Sequence, residues 1–195
     1  MFRLIAALLL ATPVLAVPAA LVTDPPMNTA YPADLMPLLI ASHGANMNGR
    51  IYLAEGKGPH PTMLLLHGFP GNEQNGDVAQ AARRAGWNVI LFHYRGAWGS
   101  QGAFSIHNAI DDTQVVFDWA RDPANAAKYR IDPKRIVIAG HSMGGFMTVQ
   151  TAAHNPGLAG VILIDAWNPA ASAAGLSNPQ AQAAIIAGLA ESMPP

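Results

Sequence analysis

The sequence predicts an α/β domain: a three-layer sandwich in which a mostly parallel sheet lies between helices. Two observations carry this expectation. Four short apolar runs, Thr62 to Leu66, Asn88 to Phe92, Arg135 to Ala139 and Gly160 to Ile164, have the continuous hydrophobicity of strands buried on both faces. Helix-like stretches separate them, and strands that alternate with helices form right-handed βαβ units. A chain of 195 residues fits one domain. With 51% hydrophobic and 12% charged residues it buries enough apolar surface to offset the entropy of ordering, which excludes a disordered chain.

Taken in order, residues 1–20 read as a secretory signal. Arg3 is the positive start, Leu4 to Ala11 the apolar stretch, and Val14-Leu15-Ala16 or Val17-Pro18-Ala19 the small-residue cleavage site. The competing reading is a membrane anchor, but a span needs about 20 apolar residues and Thr12-Pro13 interrupts this run. The expectation is export to the periplasm or beyond, with no stable membrane span after cleavage. Residues 21–34 form an extended lead-in, since Pro25, Pro26 and Pro32 oppose helix. The core is placed at residues 35–165. Leu38 to Ser42 and Arg50 to Ala54 read as an antiparallel pair around the turn formers Gly44, Asn46, Asn48 and Gly49. Val78 to Ala85 is a short helix stopped by Gly86. Asn108 is expected to cap an amphipathic helix running to Arg121, with Asp111 and Asp112 in its first turn and Pro123 closing it. Gly144 to His154 is the next helix, and Asn155-Pro156-Gly157 ends it. Residues 166–195 read as the start of a cap or C-terminal region: a loop over 166–180, then a helix over Pro179 to Glu191.

The motif that carries chemistry is Gly140-His141-Ser142-Met143-Gly144, a G-x-S-x-G pattern set between a buried strand and a helix. A turn that sharp strains the serine backbone and requires very small neighbours, which Gly140, Gly144 and Gly145 supply. It lifts the Ser142 hydroxyl above the sheet edge at a helix N-terminus. His67-Gly68-Phe69-Pro70-Gly71 follows the Thr62 to Leu66 strand, where a loop amide can face the same point. Acyl transfer needs donors aimed at the oxyanion of the tetrahedral intermediate, and the backbone N–H groups of Phe69 and Met143 are the candidates.

The stretch from about Thr62 to Asp165 resembles the α/β-hydrolase superfamily, and within it the bacterial branch of serine aminopeptidases, prolyl-oligopeptidase-type peptidases and dienelactone hydrolases. The residues that carry the resemblance are His67-Gly68-Phe69-Pro70-Gly71, Tyr94-Arg95-Gly96 with Gly99-Ser100, Arg130-Ile131-Asp132-Pro133, and Gly140-His141-Ser142-Met143-Gly144-Gly145. The resemblance implies an α/β-hydrolase fold lacking its last strands, and a serine hydrolase acting on ester or amide bonds of a small molecule or peptide through Ser142.

The resemblance also implies a triad in the order serine, acid, histidine. The 53 residues after Ser142 hold one histidine, His154, and two acids, Asp165 and Glu191. His154 lies twelve residues along the same expected helix, about 18 Å from Ser142, which excludes it as the base. Asp165 ends the last apolar run and stands as either the acid or a loop aspartate. His67 reads as a structural residue of its loop, His93 as structural or a substrate contact, and His141 as packing beside the nucleophile; His43, His60 and His107 read as solvated. Trp98 and Phe104 are candidates for lining a pocket, and Arg95 for anchoring its loop to backbone carbonyls. The expectation is a fragment of a longer hydrolase that is incomplete or inactive by itself. The alternative is a non-catalytic binding module with the same cleft. No histidine pair has zinc-site spacing and no P-loop order is present, so neither metal nor other cofactor is expected. A net charge of −1 offers no field for nucleic acid, and the absence of cysteine excludes disulfides and a thiol nucleophile.

Overall fold

A computed structural model describes residues 17–176, 178–183 and 187. Most of the expected signal segment, and the expected helix beyond residue 183, lie outside the described residues. The elements are α1 (Ala19–Val22), β1 (Asp34–Ser42), β2 (Ala45–Leu53), β3 (His60–Leu66), α2 (Gly76–Arg84), β4 (Asn88–Phe92), α3 (Ile106–Arg121), α4 (Pro123–Lys128), β5 (Ile131–His141), α5 (Met143–His154), β6 (Gly160–Ile164) and α6 (Pro169–Leu176). Six strands form one sheet in the order β1-β2-β4-β3-β5-β6. β1 and β2 form an antiparallel hairpin and β2 pairs antiparallel with β4, whereas β3, β4, β5 and β6 run parallel.

Alternation along the strands divides the interior into two layers. Leu64, Leu66, Ile90, Phe92, Ile136 and Ile138 face one side, where Val116 and Phe117 of α3 and Met143 and Met147 of α5 cover them. Met63, Leu65, Val89 and Leu91 face the other side, against Ala79 of α2. Each fully buried leucine stabilises the fold by about 1.5–3 kcal/mol, so both layers are required to hold the central strands. No helix among the described residues is long and apolar enough to cross a membrane.

Several boundaries differ from the sequence expectation for identifiable reasons. Residues 19–22 make one helical turn across the boundary between the expected signal and the expected lead-in. The hairpin turns at His43-Gly44 alone, both with positive φ (46° and 80°), so Asn46, Asn48 and Gly49 belong to β2. A β-carbon on Gly49 would lie 2.7 Å from the Leu91 carbonyl oxygen, so close strand pairing rather than turning explains this glycine. Ser105, not Asn108, caps α3: its hydroxyl accepts from Asn108 N–H at 3.0 Å, while the Asn108 side chain donates to Ala103 O. Asp111 and Asp112 therefore stand beyond the first turn, and Asp112 is fully buried. Pro123 opens α4 rather than merely closing α3, with Asp122 Oδ1 accepting from Ala124 and Asn125 amides. Asn168 does the same for α6, within a stretch expected to be loop; residues 179–183 are helical as expected.

Candidate active site

Ser142 stands between β5 and α5 with φ 53° and ψ −117°, a region that a non-glycine residue enters only when its surroundings fix it there. The packing around it does so. A β-carbon on Gly140 would lie 2.1 Å from the Gly144 carbonyl oxygen, and one on Gly144 would lie 2.4 Å from Leu66 O. Ser142 N–H donates to Ile164 O at 3.1 Å, and Ser142 O accepts from Gly145 N at 3.0 Å and Trp167 N at 2.8 Å. The end of β6 and the chain after it thus hold the bend, a contribution no sequence motif announced. Trp167 in turn packs edge-on against Phe146 and donates to Ser172 Oγ at 2.7 Å.

The 67–71 loop lies directly beside this bend. β3 pairs with β5 up to Leu66 and Gly140, and a β-carbon on Gly68 would stand 2.9 Å from Ser142 Cβ. Phe69 stacks on Phe104, centroids 4.9 Å apart. The Phe69 and Met143 amides donate to no acceptor among the described residues, which leaves both free for a bound oxygen. The Ser142 side chain is half-buried and bonds to no histidine among the described residues. His154 is exposed, with Nδ1 on Gln150 O. Asp165 is exposed, follows β6 at φ 45°, and has no side-chain hydrogen bond among the described residues.

Around the bend, the rim is built from β2, β3, β4 and their loops. His67 is buried; its Nδ1 meets Gly68 O at 2.7 Å and its Nε2 meets His93 Nδ1 at 3.2 Å. Burial, with Arg50 adding to it, holds the His67 imidazole below its ordinary proton affinity. Burial and then the charges of His67 and Arg50 push His93 down to about 4. Trp98 is half exposed and donates from its indole N–H to Pro70 O at 2.6 Å, tying one loop to the other. Arg95 anchors the 94–104 loop chiefly through a carboxylate: its Nε donates to Asp112 Oδ1 at 2.5 Å and its backbone N–H to Oδ2 at 2.8 Å, while Nη2 reaches Asn108 O at 3.2 Å. Ser42 Oγ donates to the same carboxylate at 2.7 Å. His60, expected in a solvated loop, is buried at the start of β3 between Gly86 O and Gly56 O. A cavity of about 400 Å³, lined in part by Asp24, Tyr52, Glu55 and Arg83, lies at the opposite sheet edge and takes no part in this arrangement.

Residues 61–192 match the family model described as alpha/beta hydrolase fold. The chain belongs to the alpha/beta hydrolase family. An uncharacterized protein of Mycobacterium tuberculosis is 26% identical over 133 residues, 68% of this chain and 46% of its own length. Lysophosphatidylserine lipase ABHD12 of Danio rerio is 34% identical over 89 residues, 44% of this chain and 21% of its own. Among solved structures, the thermophilic carboxylesterase EstE1 from a metagenomic library superposes with a TM-score of 0.60 at 22% identity, covering 76% of this chain and 50% of that one. This alpha/beta hydrolase chain therefore spans about half, or less, of the length of these relatives.

Proposed function

We propose that this chain carries the nucleophile and oxyanion donors of a serine hydrolase that cleaves ester bonds. The observation that carries the proposal is the Ser142 bend, with its positive φ and its immediate contact with Gly68 of the oxyanion loop. In this reaction Ser142 Oγ attacks the ester carbonyl, and the Phe69 and Met143 amides receive the developing oxyanion. Loss of one such donor typically costs about 3 kcal/mol of transition-state stabilisation. The ester class is favoured over the amide class because similar proteins include a lipase and a carboxylesterase. An unactivated serine hydroxyl is a weak nucleophile. The reaction needs an activating histidine and its acid; no histidine among the described residues bonds to Ser142, and Asp165 is one candidate for the acid. Segment 1–20 directs export, which mass spectrometry of the mature N-terminus checks: cleavage after Ala16 or Ala19 is expected, and an intact Met1 in exported protein counts against it.

The deciding experiment compares hydrolysis of p-nitrophenyl acetate by the gene product whose reading frame extends past Pro195 with that of its Ser142→Ala variant. A loss of at least a thousandfold on substitution is expected, and equal rates remove Ser142 from the mechanism. One observation favours a second reading, a binding module without turnover: Ser142 bonds to no histidine among the described residues. A stop codon after Pro195, with stable folded protein and no Ser142-dependent rate, selects that reading.

A further inference from the structure

Four basic side chains line up along the sheet edge that carries Ser142. β3 and β4 are in register at Leu64 and Ile90, so His67 and His93, three residues further on, are neighbours, and their rings touch. β3 and β5 are in register at Leu66 and Gly140, which sets His141 on the other side of His67. Arg50 of β2 pairs with Leu91, two residues before His93, and by alternation shares its face. Along the strand order, Arg50, His93, His67 and His141 thus form one row on the side of the sheet covered by α2.

No carboxylate among the described residues forms an ion pair with a member of the row. Arg50 donates from Nη2 to Gln74 Oε1 at 2.5 Å and pairs with no carboxylate among the described residues, although six other ion pairs are present. The charged groups acting on His93 are Arg50 and His67, both basic. Glu73, on the neighbouring loop, is exposed and accepts from Asn75 N–H. The hydrogen-bond directions follow from elementary valence. Gly68 O only accepts, so His67 Nδ1 carries the proton and its Nε2 accepts from His93 Nδ1–H. A neutral His93 is left with a bare Nε2; Arg50, on the same face of the neighbouring strand, has no carboxylate partner among the described residues, and the ring centroid of the half-exposed Trp98 lies 6.2 Å from that of His93.

We infer that Arg50 and His93 form an anion subsite that receives a carboxylate or phosphate group of the substrate. Arg50 supplies a fork of N–H donors suited to two oxygens of one anion. His93 completes the site by taking onto Nε2 one proton given up by a buffer acid, whose bond to that proton breaks as the N–H bond forms, so that the anion meets two cations and enters together with the proton. Strand spacing places the end of β4 two strands from the end of β5, roughly 10 Å from the nucleophile. An ester whose acyl or alcohol part ends in an anionic group several atoms from the carbonyl spans that distance. Use of the subsite in turnover rests on the hydrolase reading; occupancy by an anion does not, and is measured separately.

The probe is sodium sulfate, an anion that does not titrate near neutrality, added to the 195-residue chain at constant ionic strength set with chloride. Calorimetry at pH 6.0 in two buffers of different ionisation enthalpy reports both affinity and protons taken up. Saturable binding with net proton uptake, at least tenfold weaker in Arg50→Gln and without proton uptake in His93→Gln, is expected. Arg50→Lys keeps the charge without the fork, guards against a variant that fails to fold, and retains part of the affinity. Acetate and methyl phosphate compete for the site, and the stronger competitor identifies the substrate group. Non-saturable binding, affinity indifferent to Arg50, or failure of both competitors overturns the inference. None of these readouts depends on Ser142, so failure of the hydrolase reading leaves the binding result standing.

Discussion

β3 and β6 both lie parallel to β5, one on each side, and in sequence they look alike: each is a short continuous apolar run. Their surroundings differ sharply. In β3, Leu64, Leu65 and Leu66 are at most 1% exposed, whereas Val161, Ile162 and Leu163 of β6 are 45–49% exposed. β3 has a strand on each side and a helical layer over each face; among the described residues β6 pairs on one side only, at the sheet edge. Hydrophobic continuity therefore identifies a strand but not its depth, which is set by what packs against it. Yet β6 is not idle. Its terminal carbonyl, Ile164 O, holds the Ser142 amide, so the exposed strand fixes the most constrained residue of the candidate site.

The most direct way to break this contrast is a pair of truncations. Leu65→Ala removes atoms from a closed layer and should cost about 2–5 kcal/mol. Ile162→Ala, at a half-exposed edge, should cost under about 1 kcal/mol. Urea denaturation of the two variants checks both values; equal losses mean that β6 is covered in solution. A charge placed on the edge sharpens the same point. Ile162→Lys should leave the unfolding midpoint close to that of the parent, while lowering the tendency of concentrated protein to associate, because a lysine on an unpaired strand opposes edge-to-edge pairing. Static light scattering over a concentration series reads this out, and unchanged association shows that β6 is not the sticky edge.

The central part of the fold was legible because local signals agreed with their context. The runs at 88–92 and 160–164 are strands with the boundaries read from sequence, and the Gly140–Gly145 pattern does stand at a strand-to-helix bend. The misplaced features share another cause. Asn108 and Pro123 each satisfy a general rule for helix ends, but neighbours satisfy it better: Ser105 is extended and aimed at the open amide, and Asp122 precedes a proline poised to begin a helix. Sequence position alone puts Asp112 at a helix start; the buried Arg95 with which it pairs is seventeen residues away, a contact periodicity cannot reveal. The row from Arg50 to His141 escaped for a related reason. Its members, an arginine and three histidines, are far apart in sequence, and only strand order and register place them side by side.

That row supplies the subtlest difference between the centre of the sheet and its edge. His93, at the end of a central strand, has its proton affinity lowered from an ordinary 6.5 to about 4, first by burial and then by His67 and Arg50. Its protonation therefore favours the unfolded chain. Above pH 6.5 both states leave it neutral and its contribution to stability is complete; between 6.5 and about 4 the unfolded chain binds the extra proton, so stability falls with pH. His67, buried beside it, shifts in the same direction and adds to the slope. Urea midpoints measured from pH 7.5 down to 5 should decline in the parent chain and decline less steeply in His93→Gln. A parent slope that survives in His93→Gln assigns the proton uptake to other groups, and the buried, uncompensated character of the rim is then wrong.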